Sequence, residues 1–182
     1  MELITEYRSS GDPRILEELV KRHLGHVREV VYSMVLNAAD ADDVAQEAML
    51  RILSGIKTFR GNAAFSTWRY RVSVNTATSF LRKRKRLQAR LSELDPAEAL
   101  PANVDHTPPR MAEVSELDQR ITIAMEKLPP EQRAAIALVT IQGLNEKDAA
   151  IACRCTFATL RWRLHRARQR LKRELGMQES ND

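Results

Sequence analysis

The stretch FSTWRYRVSVNTATSFLRKRKR, residues Phe65–Arg86, predicts a helix with apolar side chains on two faces. One face has the 4, 3, 4 spacing of a stripe that packs into a helical bundle, and it consists of Tyr70, Val74, Ala77 and Leu81. The opposite face combines apolar and polar residues: Phe65, Trp68 and Val72, flanked by Arg69, Arg71 and Asn75. The basic run Arg82–Arg86 follows. The first face predicts a core contact, and the second indicates a binding surface.

The composition indicates a folded protein with a polyanionic partner. The chain has 182 residues, 43% of them hydrophobic, which suffices for one large domain or two small ones. Its net charge is +5 and its basic residues are clustered, which favours nucleic acid over anionic lipid. No secretion signal is recognisable, and no apolar run approaches the roughly 18 residues that span a bilayer. The two cysteines lie too close together in the sequence for a disulfide between them to link distant segments of the fold. We therefore expect a cytoplasmic protein without membrane insertion.

The order of the helical segments predicts an all-α fold of two small helical domains joined by a flexible acidic linker. We expect the first domain at residues 1–86, the linker at 87–117, the second domain at 118–177 and a tail at 178–182. In the first domain, Asp40 or Asp42 is a candidate N-cap for a helix that stops at Gly55. The linker is rich in proline and in acidic residues, which is typical of a solvated tether.

The second domain has the pattern of a helix-turn-helix. The pair Pro129–Pro130 marks the start of one helix, and Gly143 lies just past its end. Asn145 and Thr156 each stand in the N-cap position of a further helix. A tight turn at Arg154–Cys155 separates these two helices, which predicts the helix-turn-helix motif.

The last helix of this motif has a cationic outer face. Seven Arg or Lys residues and no acidic residue lie between Arg161 and Arg173, which argues against a merely solvated surface. Such a helix fits the DNA major groove, with its first residues at base edges and its cations at phosphates. A lone His165 without partners at ligand spacing does not indicate a metal site, and packing of small residues at the turn accounts for Cys153 and Cys155.

Together these motifs resemble bacterial sigma factors of the sigma-seventy class, specifically the short extracytoplasmic-function (ECF) group, over nearly the whole chain. The polymerase-binding helix of region 2 in that family is similar to DADDVAQEAMLRIL, residues 40–53. The minus-ten recognition and strand-opening segment is similar to TFRGNAAFSTWRYRVSVNTATSFLRKRKR, residues 58–86, and region 4 resembles residues 128–172. The chain departs from the family at Arg154, where a glycine is common, and at Phe157 and Ala158, where Glu-Gly is usual. These departures affect the expected minus-thirty-five preference.

The resemblance implies three binding surfaces. Core RNA polymerase would dock on a ridge formed by Asp43, Gln46, Glu47 and Leu50. The alternative is that these residues form a solvated acidic face. The minus-ten element would contact Arg60, Asn62, Phe65, Trp68, Arg71, Asn75, Arg82, Lys83 and Arg84. The minus-thirty-five element would contact Thr156, Ala158, Thr159, Arg161, Trp162, His165 and Arg166. Whether Phe65 belongs to the base pocket or to the core stays open, and for Trp68 we favour the rim, partly packed and partly facing DNA.

The function that the resemblance implies is that of a non-catalytic promoter-specificity subunit. It would bind core RNA polymerase and promoter DNA, both the duplex and the melted non-template strand, with no cofactor, metal or small-molecule substrate. An anti-sigma factor is the regulator that the family implies, and the acidic linker would run through the RNA path of the polymerase. Two alternatives remain at this point: a helix-turn-helix regulator that does not bind polymerase, and an RNA-binding adaptor.

Overall fold

The computed structural model describes residues 2–61, 63–94 and 116–177, and all regular secondary structure in these ranges is helical. The prediction of an all-α fold is therefore confirmed. Met1, Asn62, residues 95–115 of the predicted linker and the predicted tail lie outside the described residues. The helices are α1 (Glu2–Ser10), α2 (Pro13–Val35), α3 (Ala38–Gly55), α4 (Phe65–Leu94), α5 (Glu116–Glu126), α6 (Pro130–Ile136), α7 (Glu146–Ala152) and α8 (Phe157–Glu174).

The first domain is a bundle in which α2, α3 and α4 pack on one another. Tyr70, Val74 and Ala77 are buried, which confirms that this face of α4 points into the bundle. The same core cluster includes residues of α2 and α3, among them Val30, Val31, Met34, Ala45, Ala48 and Ile52. Helix α1 adds a smaller cluster that consists of Ile4, Ile15, Leu19, Ile56 and Phe59. The short 3-10 turn Ile56–Thr58, which follows α3, thus connects α1 to the bundle.

Helix α3 begins earlier than the sequence predicted. Its N-cap is Asn37, whose backbone is extended and whose Oδ1 accepts a hydrogen bond from the Asp40 backbone N–H at 2.9 Å. The prediction of Asp40 or Asp42 as the cap was wrong, because both residues already lie within the helix, where an N-cap conformation is unavailable. Their carboxylates form ion pairs with Arg84 and Arg28 instead. The predicted end at Gly55 is confirmed.

Helix α4 is longer than the sequence predicted. It has 30 residues and continues past Arg86, the expected end of the first domain, to Leu94. The added segment LQARLSEL contains neither proline nor glycine, and the first helix-breaking residue after it is Pro96. Although α4 is long, it is not apolar. None of the described helices is both long enough and apolar enough to cross a membrane.

The second domain forms the predicted helix-turn-helix. Helix α6 starts at Pro130, continues through a π-helical turn (Ala137–Ile141) and is followed by Gly143 at a φ of 68°. Asn145 and Thr156 cap α7 and α8, as predicted, by accepting hydrogen bonds from backbone N–H groups three residues on. Local start signals therefore fix the positions of both helices of the motif.

The two domains pack against each other. Helix α7 lies along α4, and α6 lies against α2 and α4. Buried residues of both domains therefore belong to one continuous core cluster, which extends from Val74 in α4 to Leu138 beyond α6. The sequence had indicated two helical units but gave no sign of how they meet.

Candidate nucleic-acid interface

The ridge predicted to bind polymerase is exposed on α3. The buried face of α3 includes Val44, Ala48 and Ile52, so helical periodicity directs its other face to solvent. The exposed side chains on that face are Asp43, Gln46, Glu47 and Leu50. Leu50 is 65% exposed, and the carboxylate of Glu47 is held by Arg51 at 2.6 Å. An exposed leucine among acidic and amide groups gives this ridge the mixed character of a protein-binding surface.

An aromatic cluster occupies the beginning of α4. The ring centroid of Trp68 lies 5.2 Å from that of Phe59 and 5.6 Å from that of Phe65. The Phe65 ring also packs against His23 of α2, at 5.4 Å between centroids. The far edge of the indole reaches α3, since a Cβ placed on Gly55 would lie 2.8 Å from Trp68 Cζ2. Both rings are half-buried, and Trp68 is fixed from three sides.

A cavity of ≈ 210 Å³ opens beside this cluster. The residues that line it include Phe59, Arg60, Thr67, Trp68, Arg71 and Ile151. An aromatic face flanked by two guanidinium groups matches what an unpaired base and its phosphates require. Phe65 is not among the lining residues, and its contacts are with the other rings.

Arg69 lies inside the bundle, although the sequence had placed it beside the aromatic face. It is only 6% exposed, and its Nη1 lies 2.8 Å from Nδ1 of His23. Burial, followed by the charge of Arg69, lowers the pKa of His23 to about 4, so the ring is neutral at pH 7 and accepts this hydrogen bond. The guanidinium also lies 4.9 Å from the centre of the Tyr70 ring, a cation–π contact. Arg69 is therefore a packing residue and does not face DNA.

The basic run at Arg82–Arg86 is partly neutralised by acidic side chains. Arg82 pairs with Glu131 of α6 at 3.1 Å, and Arg84 pairs with Asp40 of α3 at 2.9 Å. Lys83 is exposed. Asn75, one helical turn beyond Arg71, is half-buried. Of the predicted minus-ten residues, Arg60 precedes α4 and those from Phe65 to Arg84 lie along it, but Arg82 and Arg84 already have carboxylate partners.

The residues predicted to read the minus-thirty-five element cluster at the start of α8. Thr156 Oγ1 accepts a hydrogen bond from the Thr159 backbone N–H at 3.1 Å, and the two hydroxyl oxygens are 2.8 Å apart. The buried face of α8, with Leu160, Leu164 and Ala167, turns the other residues outward. Of the residues predicted to contact this element, the exposed ones are Thr156, Ala158, Arg161, Trp162, His165 and Arg166. Trp162 is 57% exposed, with the Arg166 guanidinium 6.0 Å from its ring centre.

The turn between α7 and α8 forms in spite of its unusual sequence. Arg154 has a φ of 51°, the left-handed conformation that glycine adopts without strain. The non-glycine side chain therefore costs about 1–2 kcal/mol here, and the turn still forms. Burial raises the pKa of the preceding Cys153 thiol to about 12, so this cysteine is a packing residue and not a thiolate. Among the described residues, no group of three or more His, Cys, Asp or Glu side chains could hold a metal ion.

Comparison with known proteins identifies the family. Residues 19–87 match sigma-70 region 2, and residues 118–171 match sigma-70 region 4. The chain is 30% identical to the RNA polymerase sigma-H factor of Pseudomonas aeruginosa over 178 residues, which covers 94% of this chain and 92% of that protein. It is 31% identical to the ECF RNA polymerase sigma-E factor of Escherichia coli, with 92% and 90% covered. The chain is an ECF sigma factor of the sigma-70 family.

Solved structures agree with this fold. The sigma factor RpoE in complex with the anti-sigma factor NepR from Bartonella quintana has a TM-score of 0.71 at 23% identity and covers 90% of this chain and 98% of that one. CnrH in complex with the cytosolic domain of CnrY has a TM-score of 0.68 at 22% identity, with 96% and 95% covered. As an ECF sigma factor, the protein directs RNA polymerase to specific promoters at transcription initiation and is a non-catalytic subunit.

Two features of the sigma factor's site had no clear signal in its sequence. Gly55 was read only as a helix stop, although the absence of a side chain there is what admits the edge of Trp68. Ile151 comes from α7, far along the chain, yet it lines the same cavity as Arg71. The first could have been suspected from a glycine at a helix end beside an aromatic segment, whereas nothing local pointed to the second.

Proposed function

We propose that the cavity beside Trp68 holds an unpaired base of the minus-ten element during strand opening. The observation that carries this proposal is the indole at the cavity rim with Arg60 and Arg71 next to it. Stacking of a base on an aromatic ring contributes about 1–3 kcal/mol, and the guanidinium groups neutralise the displaced phosphates. Further contacts to this element are assigned to Asn62, Phe65, Asn75, Arg82, Lys83 and Arg84.

The start of α8 would read the minus-thirty-five element in the major groove. Thr156, Ala158 and Thr159 are in the first turn, where side chains of a recognition helix reach base edges. The phosphate and groove-wall contacts are assigned to Arg161, Trp162, His165 and Arg166. Because Phe157 and Ala158 replace the acidic and small residues usual in the family, the base preference of this sigma factor differs from that of relatives with Glu-Gly.

Core polymerase would dock on the α3 ridge of Asp43, Gln46, Glu47 and Leu50. Both domains take part in initiation, with residues 1–86 on the polymerase and the minus-ten element, 118–177 on the minus-thirty-five element, and 87–117 as the connecting linker. An anti-sigma factor is the proposed regulator, since RpoE and CnrH were both solved with a bound partner of their own. Because its polymerase and promoters are bacterial, we place the protein in the cytoplasm.

The two tryptophans allow a crossed test of the DNA contacts. With core polymerase on a cognate promoter, Trp68→Ala should reduce permanganate reactivity of unpaired thymines more than it reduces binding to duplex DNA. Trp162→Ala should do the opposite, since Trp162 is exposed on the recognition helix. Trp68→Phe retains a ring in the aromatic cluster, and it should show the same order of effects with a smaller loss. Equal losses of opening and duplex binding in both Trp68 variants would refute the proposed role of the cavity.

The polymerase ridge has its own test. Leu50→Asp should abolish co-elution with core polymerase, because it places a charge at the centre of the proposed contact. Leu87→Asp is the matched control: Leu87 is similarly exposed, at 57% against 65%, but lies on α4. Co-elution of Leu50→Asp at the level of this control would exclude the ridge as the docking surface.

A further inference from the structure

The recognition helix α8 begins with an exposed phenylalanine. Phe157 is its first residue, directly after the N-cap Thr156. Leu160, one turn further along the helix, is buried, whereas Phe157 is 44% exposed. The chain neighbours of the ring, Thr156 and Ala158, are exposed and have short side chains, which are too small to cover a benzyl group. The first residue of α8 therefore presents a large apolar surface to solvent.

An arginine of the same helix lies beside this ring. The guanidinium carbon of Arg161 is 5.8 Å from the centre of the Phe157 ring, one helical turn along α8. Nε of Arg161 is also 3.7 Å from a carboxylate oxygen of Glu146, the first residue of α7. The guanidinium is thus held by a cation–π contact and by an ion pair. Both helices of the helix-turn-helix therefore contribute to the position of the Phe157–Arg161 pair.

The chemistry around the ring suits a base edge in the DNA major groove. Residues 157–173 contain no acidic side chain, so this surface is cationic apart from the ring. The N-terminal residues of a recognition helix reach base edges, and Phe157 occupies that end of α8. In the major groove the C5-methyl group of thymine is an apolar feature, and phenylalanine is among the side chains that contact it. Because a benzyl side chain forms no conventional hydrogen bond, this methyl group is the feature of a base edge that Phe157 can distinguish.

We propose that Phe157 is a specificity-determining residue, which packs on the C5-methyl group of one thymine in the minus-thirty-five element. Arg161, held beside the ring, neutralises a phosphate on the same flank of α8. A glutamate, which is usual in the family at this position, accepts hydrogen bonds from a donor such as cytosine N4, so the phenylalanine favours a different base. This inference rests on the proposed function of α8 as the helix that reads the minus-thirty-five element.

The test combines substitutions in the protein with substitutions in the DNA. The full chain with core polymerase first selects duplex promoters from a pool in which the minus-thirty-five element is randomised. Each thymine of the selected element, on either strand, is then replaced singly by deoxyuridine, which lacks only the methyl group. The measured quantity is the ratio of the Kd for the deoxyuridine duplex to the Kd for the thymine duplex, at a temperature at which the promoter stays double-stranded.

Two variants remove the apolar ring. Phe157→Ala leaves a methyl group that is too short to reach the base. Phe157→Glu serves if the alanine variant does not fold, because a carboxylate in the first turn of α8 and four residues before Arg161 stabilises the helix. Neither variant changes a residue assigned above to the minus-thirty-five element.

For the wild type we expect a Kd ratio of about four at one thymine, which is the effect of one buried methyl group. Both Phe157 variants should bring the ratio at that thymine to about one, because the partner of the methyl group is gone. Trp162→Ala is the matched control, since it also removes an exposed ring of α8, 57% against 44% exposed. This control should bind the thymine duplex more weakly than the wild type but retain the raised ratio at the same position.

The outcomes separate the role of Phe157 from the function of α8. A wild-type ratio near one at every thymine, or a selected element without thymine, would overturn the assignment of Phe157. A raised ratio that persists in both Phe157 variants would also overturn it, because another residue would then contact the methyl group. If Trp162→Ala binds the selected duplex as tightly as the wild type, the proposed function of α8 itself fails, and this inference fails with it.

Discussion

Replacement of Gly55 by alanine should displace Trp68 without replacing any residue assigned to DNA. A Cβ on Gly55 would lie 2.8 Å from Cζ2 and 3.1 Å from Cη2 of the indole, both closer than ordinary van der Waals contact. Because the indole also packs on Phe59 and Phe65, it has to shift by about half an ångström to restore ordinary contact, and the open space beside it is the cavity.

Two opposing terms determine the stability of Gly55→Ala. Overlap in a packed site costs about 1–3 kcal/mol. Alanine gains helix propensity relative to glycine, but Gly55 is the last residue of α3, so this gain stays well below the ~1 kcal/mol of a helix interior. The free energy of unfolding should therefore fall by about 1–2 kcal/mol. Loss of half the stacking energy of about 1–3 kcal/mol should reduce open-complex formation about two- to twelvefold.

Gly25→Ala is the matched control for this experiment. Gly25 lies in the interior of α2, and a Cβ there would meet nothing within 4 Å. This substitution should raise the free energy of unfolding by about 0.5–1 kcal/mol, because the entropy cost of a helical glycine is removed. Denaturant unfolding gives the stability of each variant, and permanganate footprinting with core polymerase gives open-complex formation.

Stabilisation of Gly55→Ala to the same extent as Gly25→Ala, with promoter opening at the wild-type level, would mean that the indole does not rest on α3. The position of Trp68 would then be set by the other rings alone. A loss of stability with unchanged promoter opening would show that the indole does rest on α3, but it would refute the link between the position of the indole and base stacking.

Three further predictions concern other parts of the molecule. Arg166→Ala should weaken binding of duplex promoter DNA and reduce the slope of log Kobs against log salt by about 1, whereas Arg168→Ala, roughly 200° around α8, should leave the slope unchanged. Asn145→Ala removes the N-cap of α7 and should lower the free energy of unfolding by about 1 kcal/mol in urea titrations. His23 has a pKa of about 4 in the folded protein, against 6.5 for the free side chain. Between pH 6.5 and pH 4 the imidazole is therefore protonated in the unfolded chain but not in the folded protein. Wild-type stability should therefore decline as the pH falls from about 6.5 towards 4 more steeply than that of His23→Gln, and parallel pH profiles of the two proteins would contradict this assignment.

Local rules predicted much of this fold because they act within a few residues. The caps at Asn145 and Thr156 and the buried stripe of Tyr70, Val74 and Ala77 each depend on spacing along one helix. The cap of α3 was misplaced because three candidate side chains, Asn37 among them, lie within six residues, and backbone conformation decides between them.

The parts that sequence could not predict depend on contacts between distant segments. Arg69 was expected outside because arginine is rarely buried, and only the packed position of His23 explains its site. Ile151 matters because of where the second domain lies, and helical periodicity carries no information about which faces of two domains meet. The helical faces that carry the proposed contacts were therefore accessible to sequence reasoning, whereas the position of the second domain beside the cavity was not.

The continuity of α4 sets a fixed distance between the two ends of the minus-ten surface. Sixteen residues separate Trp68 from Arg84 in one unbroken helix, which corresponds to about 24 Å at 1.5 Å per residue. Nucleotides along a duplex strand are spaced at about 3.4 Å, so this span equals roughly seven base steps. Helix α4 is not interrupted between these two residues, so the protein cannot change the distance between them by bending at a loop. With the contacts proposed above, a promoter whose opened base and upstream phosphates are separated differently would have to stretch, bend or untwist its own DNA, and α4 would select promoters by length as well as by sequence.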